Sequence, residues 1–153
     1  MLNMITYADF EKGIVNRNMF VLQNLLKDPR VNKVIAVDFL HFRPKRLLKD
    51  YYESIMKKPQ EGKSVLKNLW SRCRMVSERL YVYSTIKHIY DEQKMWQEIR
   101  ELITKLQMEE QLVIFSYNPY IVSYFSAFPD VLFVFDTVDN WMTHSSYTKQ
   151  KRN

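Results

Sequence analysis

The sequence predicts an α/β domain of three layers, built on a mostly parallel sheet of about five strands. Two observations carry this expectation. The strand-like runs, such as KVIAVDFL (33–40) and QLVIFSY (111–117), are continuous rather than alternating in their apolar residues, the pattern of strands buried on both faces. Helical patterns separate these runs, and parallel neighbours need such crossover segments. A chain of 153 residues suits one domain with a single core.

Met4 to Tyr7 reads as the first strand, followed by the loop ADFEKGIVN with Gly13, one of only two glycines. In RNMFVLQNLLKD the apolar residues Met19, Leu22, Leu25 and Leu26 form a helical stripe, with Asn16 or Asn18 as a cap. Asp28-Pro29 stops that helix. Lys33 to Leu40 is the second strand. In the next stretch Leu47, Leu48, Tyr51, Tyr52, Ile55 and Met56 fit one helix face. After a break at 57–62, Val65, Leu66, Leu69, Trp70 and Cys73 fit a second. Leu80 to Ile86 is the third strand. Asp91 is placed to cap a helix with Met95, Ile99, Leu102, Ile103 and Leu106 on one side. Gln111 to Tyr117 is the fourth strand. Asn118-Pro119 starts a short helix that ends near Phe128-Pro129. Val131 to Phe135 is the fifth strand, with an extension toward Val138. Strand and helix in repeated alternation give a single Rossmann-like domain over residues 1–153.

Composition narrows the function classes. Hydrophobic residues make up 46% and charged residues 26%, a globular balance. Cys73 is the lone cysteine, which rules out an internal disulfide and a cysteine-rich zinc site and favours a reducing, cytoplasmic setting. The N-terminus lacks the pattern of a signal peptide, and no run reaches the roughly eighteen apolar residues of a membrane span. Two glycines cannot build a GxGxxG fingerprint or a Walker loop. His41, His88 and His144 are scattered, so no metal-spaced histidine pair exists. The net charge of +6 is concentrated. Between Phe42 and Arg79 stand eleven lysines and arginines against four acids, out of 23 and 17 in the chain. Read as a basic helical segment (42–79), this stretch places Arg43, Lys45, Arg46, Lys67, Arg72 and Arg74 against an anionic membrane surface. A solvated helical face is the bland alternative. Nucleic acid is the weaker competitor, because no nucleic-acid motif accompanies the charge.

Ligands of open parallel sheets bind beyond the carboxyl ends of the strands, so polar groups at those ends are the candidate site. Asp9, Asp38, Tyr117, Asn118, Asp136 and Asp139 fall at or just after predicted strand ends. Arg17 opens the first helix, where it opposes the helix dipole; some other interaction is expected to hold it there. Asp136 and Asp139 form a DxxD pair. Asp136 is expected to cap a helix or bind a loop backbone. Asp139, beside Asn140 and Trp141, is a candidate to accept a proton from an attacking hydroxyl or to hydrogen-bond a sugar. Capping alone accounts for Asn118 and Pro119, while Tyr117 and Tyr120 could line a sugar site or simply pack with a wet edge. A metal on DxxD is weak without further oxygen ligands, and no metal site is expected.

Taken in order, ITYADFEKGIVNRNMFVLQNLL, VIFSYNPY and VFDTVDNW resemble the N-terminal domain of bacterial GT-B glycosyltransferases, closest to the group-1 type of teichuronic acid and capsule synthesis. The likeness covers most of the chain and is diffuse between Phe42 and Arg79. It implies an acceptor-side domain facing a donor-binding domain across a cleft. On it, Gly13, Arg17, Asn18, Tyr117, Asn118, Asn140, Trp141 and His144 contact the acceptor, and Asp139 is the candidate catalytic residue. The implied reaction moves a sugar from a nucleotide-sugar donor to a cell-surface saccharide or lipid-linked acceptor, at the inner face of the cell membrane. No cofactor is expected in this domain itself. The chain stops at KQKRN soon after the fifth strand, so the resemblance implies a truncated enzyme, inactive without a donor domain or a partner chain. Two alternatives stay open: a non-catalytic α/β binding module that pairs with a partner chain, and a small metal-dependent phosphate-handling enzyme on DxxD.

Overall fold

A computed structural model describes residues 1–7, 17–39, 47–57, 62–116 and 128–136. They form β1 (Leu2–Tyr7), α1 (Arg17–Lys27), β2 (Val31–Phe39), α2 (Leu47–Tyr51), β3 (Lys63–Lys67), β4 (Ser71–Ser77), β5 (Leu80–Thr85), α3 (Glu92–Lys105), β6 (Leu112–Ser116) and β7 (Leu132–Phe135). A π-helical turn, Tyr52–Met56, continues α2, and a 3-10 turn, Lys87–Ile89, precedes α3. The strands make one sheet in the order β3-β4-β5-β2-β1-β6-β7. From β5 to β7 every pairing is parallel; β4 runs antiparallel to β5, and β3 antiparallel to β4. The sheet therefore has seven strands among the described residues, not five. The five expected strands are its parallel core.

The two additional strands replace the expected second basic helix. Val65, Leu66, Leu69, Trp70 and Cys73 have helical spacing, but they belong to the β3–β4 hairpin. Two local features set it. Asn68 Oδ1 accepts from the backbone amides of Trp70 and Ser71, both at 2.8 Å, and so closes the turn with its own side chain. Gly62, with φ +87°, opens β3 so close to its neighbour that a Cβ there would lie 2.3 Å from the Met75 carbonyl oxygen. Along β4 the sequence alternates, with Cys73 in the core under α3 and its neighbours Arg72 and Arg74 turned to the other face.

Helices cover both faces of the sheet. On one, Leu22 of α1 packs with Met4, Val34, Ala36, Val82 and Val113. On the other, Met95, Ile99, Leu102 and Ile103 of α3 pack on Ile5, Ile35, Tyr83 and Ile114. The expected Asp91 cap is present: its side chain accepts from the Lys94 amide at 3.0 Å. Ile55, wholly buried, holds the π-helical turn against β4 and β5. No helix among the described residues is long and apolar enough to cross a membrane.

Candidate functional site at the carboxyl edge

Strand β1 sits in the middle of the parallel core. From it the chain first winds to β2 and β5, then returns to β6 and β7 on the opposite side. The order reverses between β1 and β6, and such a switch point opens a crevice at the strands' carboxyl ends. Arg17 lies at the start of α1, on the path from β1 to β2. Asp136 lies just past β7, where its backbone amide bonds the carbonyl of Ser116 at the end of β6. The two side chains meet: Arg17 Nη2 donates to Asp136 Oδ2 at 2.5 Å, across 119 residues of sequence. Both are partly open to solvent, at 52% and 28%.

This pair supplies the interaction that keeps a cation at a helix start, where the dipole disfavours it. Asp136 thus binds a guanidinium, while the segment from 137 onward, which a cap or loop-anchor role would involve, lies outside the described residues. Two further polar side chains lie buried near this edge. Asp38 is the next-to-last residue of β2 and wholly buried. The Thr6 hydroxyl in β1 is buried with no hydrogen-bond partner among the described residues. Asn18 is the second residue of α1 and half-buried, so it lies within the first turn rather than before it. Gly13, Tyr117, Asn118, Asp139, Asn140, Trp141 and His144 lie outside the described residues, as do Asn16 and Asp9.

The basic segment separates into interior and surface. Arg72 and Arg74 are 3% and 7% exposed, so they are not the membrane-facing cations the sequence predicts. Arg72 donates to the Lys57 carbonyl and lies 3.4 Å from Ser64 Oγ. Arg79 also has a structural role: it donates to the carbonyls of Asp28, at 2.7 Å, and of Val31, and so ties the β4–β5 turn to the start of β2. Lys67 is exposed and donates to the Met56 carbonyl at 3.1 Å. Arg43, Lys45 and Arg46 lie outside the described residues.

A second polar cluster lies under the β3–β4 turn. Glu98 of α3, 6% exposed, accepts from Asn68 Nδ2 at 2.5 Å, Lys87 Nζ at 2.9 Å and the Tyr83 hydroxyl. Ser71 and Thr85 hydroxyls extend the network at 3.0 Å. Burial pushes the Glu98 carboxyl up, but the donors Ser71, Tyr83 and Lys87 together outweigh it and hold the group below its ordinary value. Burial, then Glu98, raises the Tyr83 hydroxyl. Cys73 is fully buried, and burial with Glu98 nearby pushes its thiol up to about 12, so it is no nucleophile. The sequence does carry a sign of this cluster: Glu98 stands three residues after Met95 and four before Leu102, on the apolar face of α3.

Among the described residues, no group of three or more His, Cys, Asp or Glu side chains gathers as a metal site. A cavity of about 380 Å³ lies at the opposite, amino edge of the sheet, lined by Met1, Asn3, Asn32, Gln107, Glu109 and Glu110. It is a shallow opening beneath the strand starts, away from the switch point, and the crevice side of the sheet is the better site on topology. No family model, no characterised protein and no solved structure matches this chain.

Proposed function

We propose that this chain is the acceptor-binding half of a glycosyltransferase that moves a sugar from a nucleotide sugar to a saccharide or lipid-linked acceptor. The observation that carries the reading is the Arg17–Asp136 pair at the carboxyl edge, flanking the β1/β6 switch point. Each of the three motifs that resemble GT-B enzymes contains a strand of the parallel core, β1, β6 or β7, whose carboxyl end lies at this edge. Arg17 supplies a positive, multiply donating group for an anionic or hydroxyl-rich acceptor, and Asp136 fixes its orientation. Asp139 is the candidate to accept the acceptor hydroxyl's proton. The nucleotide sugar is bound by a second domain on this reading, so these residues alone turn over no donor.

Calorimetry or NMR titration of the chain with short-chain lipid-linked saccharides tests this. Binding is expected, with Arg17→Ala weakening it by about tenfold, the loss of one charge-assisted contact. Asp136→Asn is expected to weaken it less. Equal affinity in Arg17→Ala, or turnover of a nucleotide sugar by the chain alone, would sink the reading.

A further inference from the structure

We propose that the corner formed by the β3–β4 turn and the segment after β5 docks on an anionic lipid bilayer, with Leu69 and Trp70 entering the headgroup boundary. Leu69 is 56% exposed and Trp70 43%, and beside them stand Ile89 at 44% and Tyr90 at 53%. Trp70 and Tyr90 meet edge to face with ring centres 5.2 Å apart. The Tyr51 hydroxyl donates to the Leu69 carbonyl at 2.7 Å, which brings up α2 and its exposed Leu48. These segments lie at the carboxyl edge, because Ser71 pairs with Thr85, the last residue of β5.

Charge selects the occupant. Lys49, Lys57 and Lys67 are exposed on the segments that build this corner, with Lys49 3.9 Å from Glu53. Exposed aromatics and aliphatics on segments that also carry exposed lysines fit the interface of a negatively charged leaflet, where Trp and Tyr sit at headgroup level and lysines reach the phosphates. A protein partner's patch would be depleted of lysine. A sugar platform would set polar side chains beside the rings, whereas Leu48, Leu69 and Ile89 offer none.

The corner is also preorganised, so little ordering cost falls on docking. Asn68 holds the turn from within, and its amide is anchored on Glu98. The Trp70 carbonyl accepts from the Ile86 amide at 3.2 Å. The docking stands independently of the sugar reading: its assay contains neither saccharide nor nucleotide, so either idea can fail without the other.

Co-sedimentation of the full chain with vesicles tests it, using phosphatidylcholine alone or mixed with phosphatidylglycerol. Binding is expected only to the mixed vesicles, and salt at about 0.5 M should weaken it. Leu69→Ser with Trp70→Ser is expected to lower the partition coefficient at least about tenfold, from the apolar area lost. Lys49→Glu with Lys67→Glu should also cost roughly tenfold. Phe20→Ser, at an exposed site on α1, should change nothing. In the unaltered chain, spin-labelled lipid should quench fluorescence that Trp70→Phe lacks, a readout that holds even if the double variant misfolds. Equal binding to neutral vesicles, binding to neither, or full binding by the Leu69/Trp70 variant would overturn the proposal. Self-association in the absence of lipid that this variant abolishes would also overturn it, assigning the corner to a second copy of the chain.

Discussion

Glu98 places a carboxylate where an α3 side chain should be apolar, and the neighbours it gathers explain why it is tolerated. A buried charge survives only when paired and fully hydrogen-bonded. Lys87 supplies the countercharge, while Asn68 and Tyr83 fill the remaining lone pairs. Because the folded carboxyl titrates below its unfolded value of 4.5, its contribution is fully present above that pH. It is lost as pH falls through the lowered folded value. Unfolding midpoints measured from pH 5 down to pH 3 should therefore drop, and Glu98→Gln should flatten that part of the slope. At neutral pH the same substitution is expected to cost about 1–3 kcal/mol, since it removes the ion pair but keeps an acceptor. An unchanged slope in Glu98→Gln would assign the acid sensitivity to another carboxylate. Asp28 is the control, held down to about 2 by the Arg30 side chain at an exposed site, where screening leaves little effect on stability.

At the scale of elements, helix ends and strand cores were legible, but the hairpin was not. Lys33 to Leu40 and Leu80 to Ile86 declared themselves because continuous apolar runs suit only a doubly covered strand. Residues 63–77 misled because Val65, Leu66, Leu69 and Trp70 repeat at helical spacing, while the features that decide the hairpin are a side-chain turn at Asn68 and a backbone approach at Gly62. Neither has a periodicity. The Arg17–Asp136 contact was equally hidden, because only the strand order brings residues 119 apart together. The end of α3 shows a different kind of local decision. Gln107 adopts φ +55°, and its amide bonds Thr104 while that of Met108 bonds Ile103 at 2.9 Å, a Schellman closure. That left-handed position suits glycine. Gln107→Gly is expected to raise stability by about 0.5–1 kcal/mol, read by chemical denaturation. A loss of stability would show that the Gln107 side chain contributes more than its backbone strain removes.

Across the whole molecule, burial is graded from the middle of the sheet outward, and that gradient sets where motion is permitted. Val34, Ile35 and Ala36 of β2 and Val82 and Tyr83 of β5 are completely covered by the helical layers. At the edges, β3 is half-open, and β7 leaves Leu132 63% and Phe135 42% exposed. Local opening follows buried apolar contact and the number of neighbouring strands. Amide exchange should therefore be slowest in β2 and β5, occurring only through global unfolding. In β7 and β3 it should proceed through openings at least about 2 kcal/mol cheaper, out of a typical total of roughly 5–15. The β1/β6 switch point falls in the protected middle, whereas Asp136 hangs from the less protected edge strand. The Arg17–Asp136 contact therefore ties the start of α1 to the less protected edge strand. Hydrogen exchange resolved by residue would show the gradient directly. Protection in β7 equal to that in β2 would mean that the edge strand opens no more readily than the middle of the sheet.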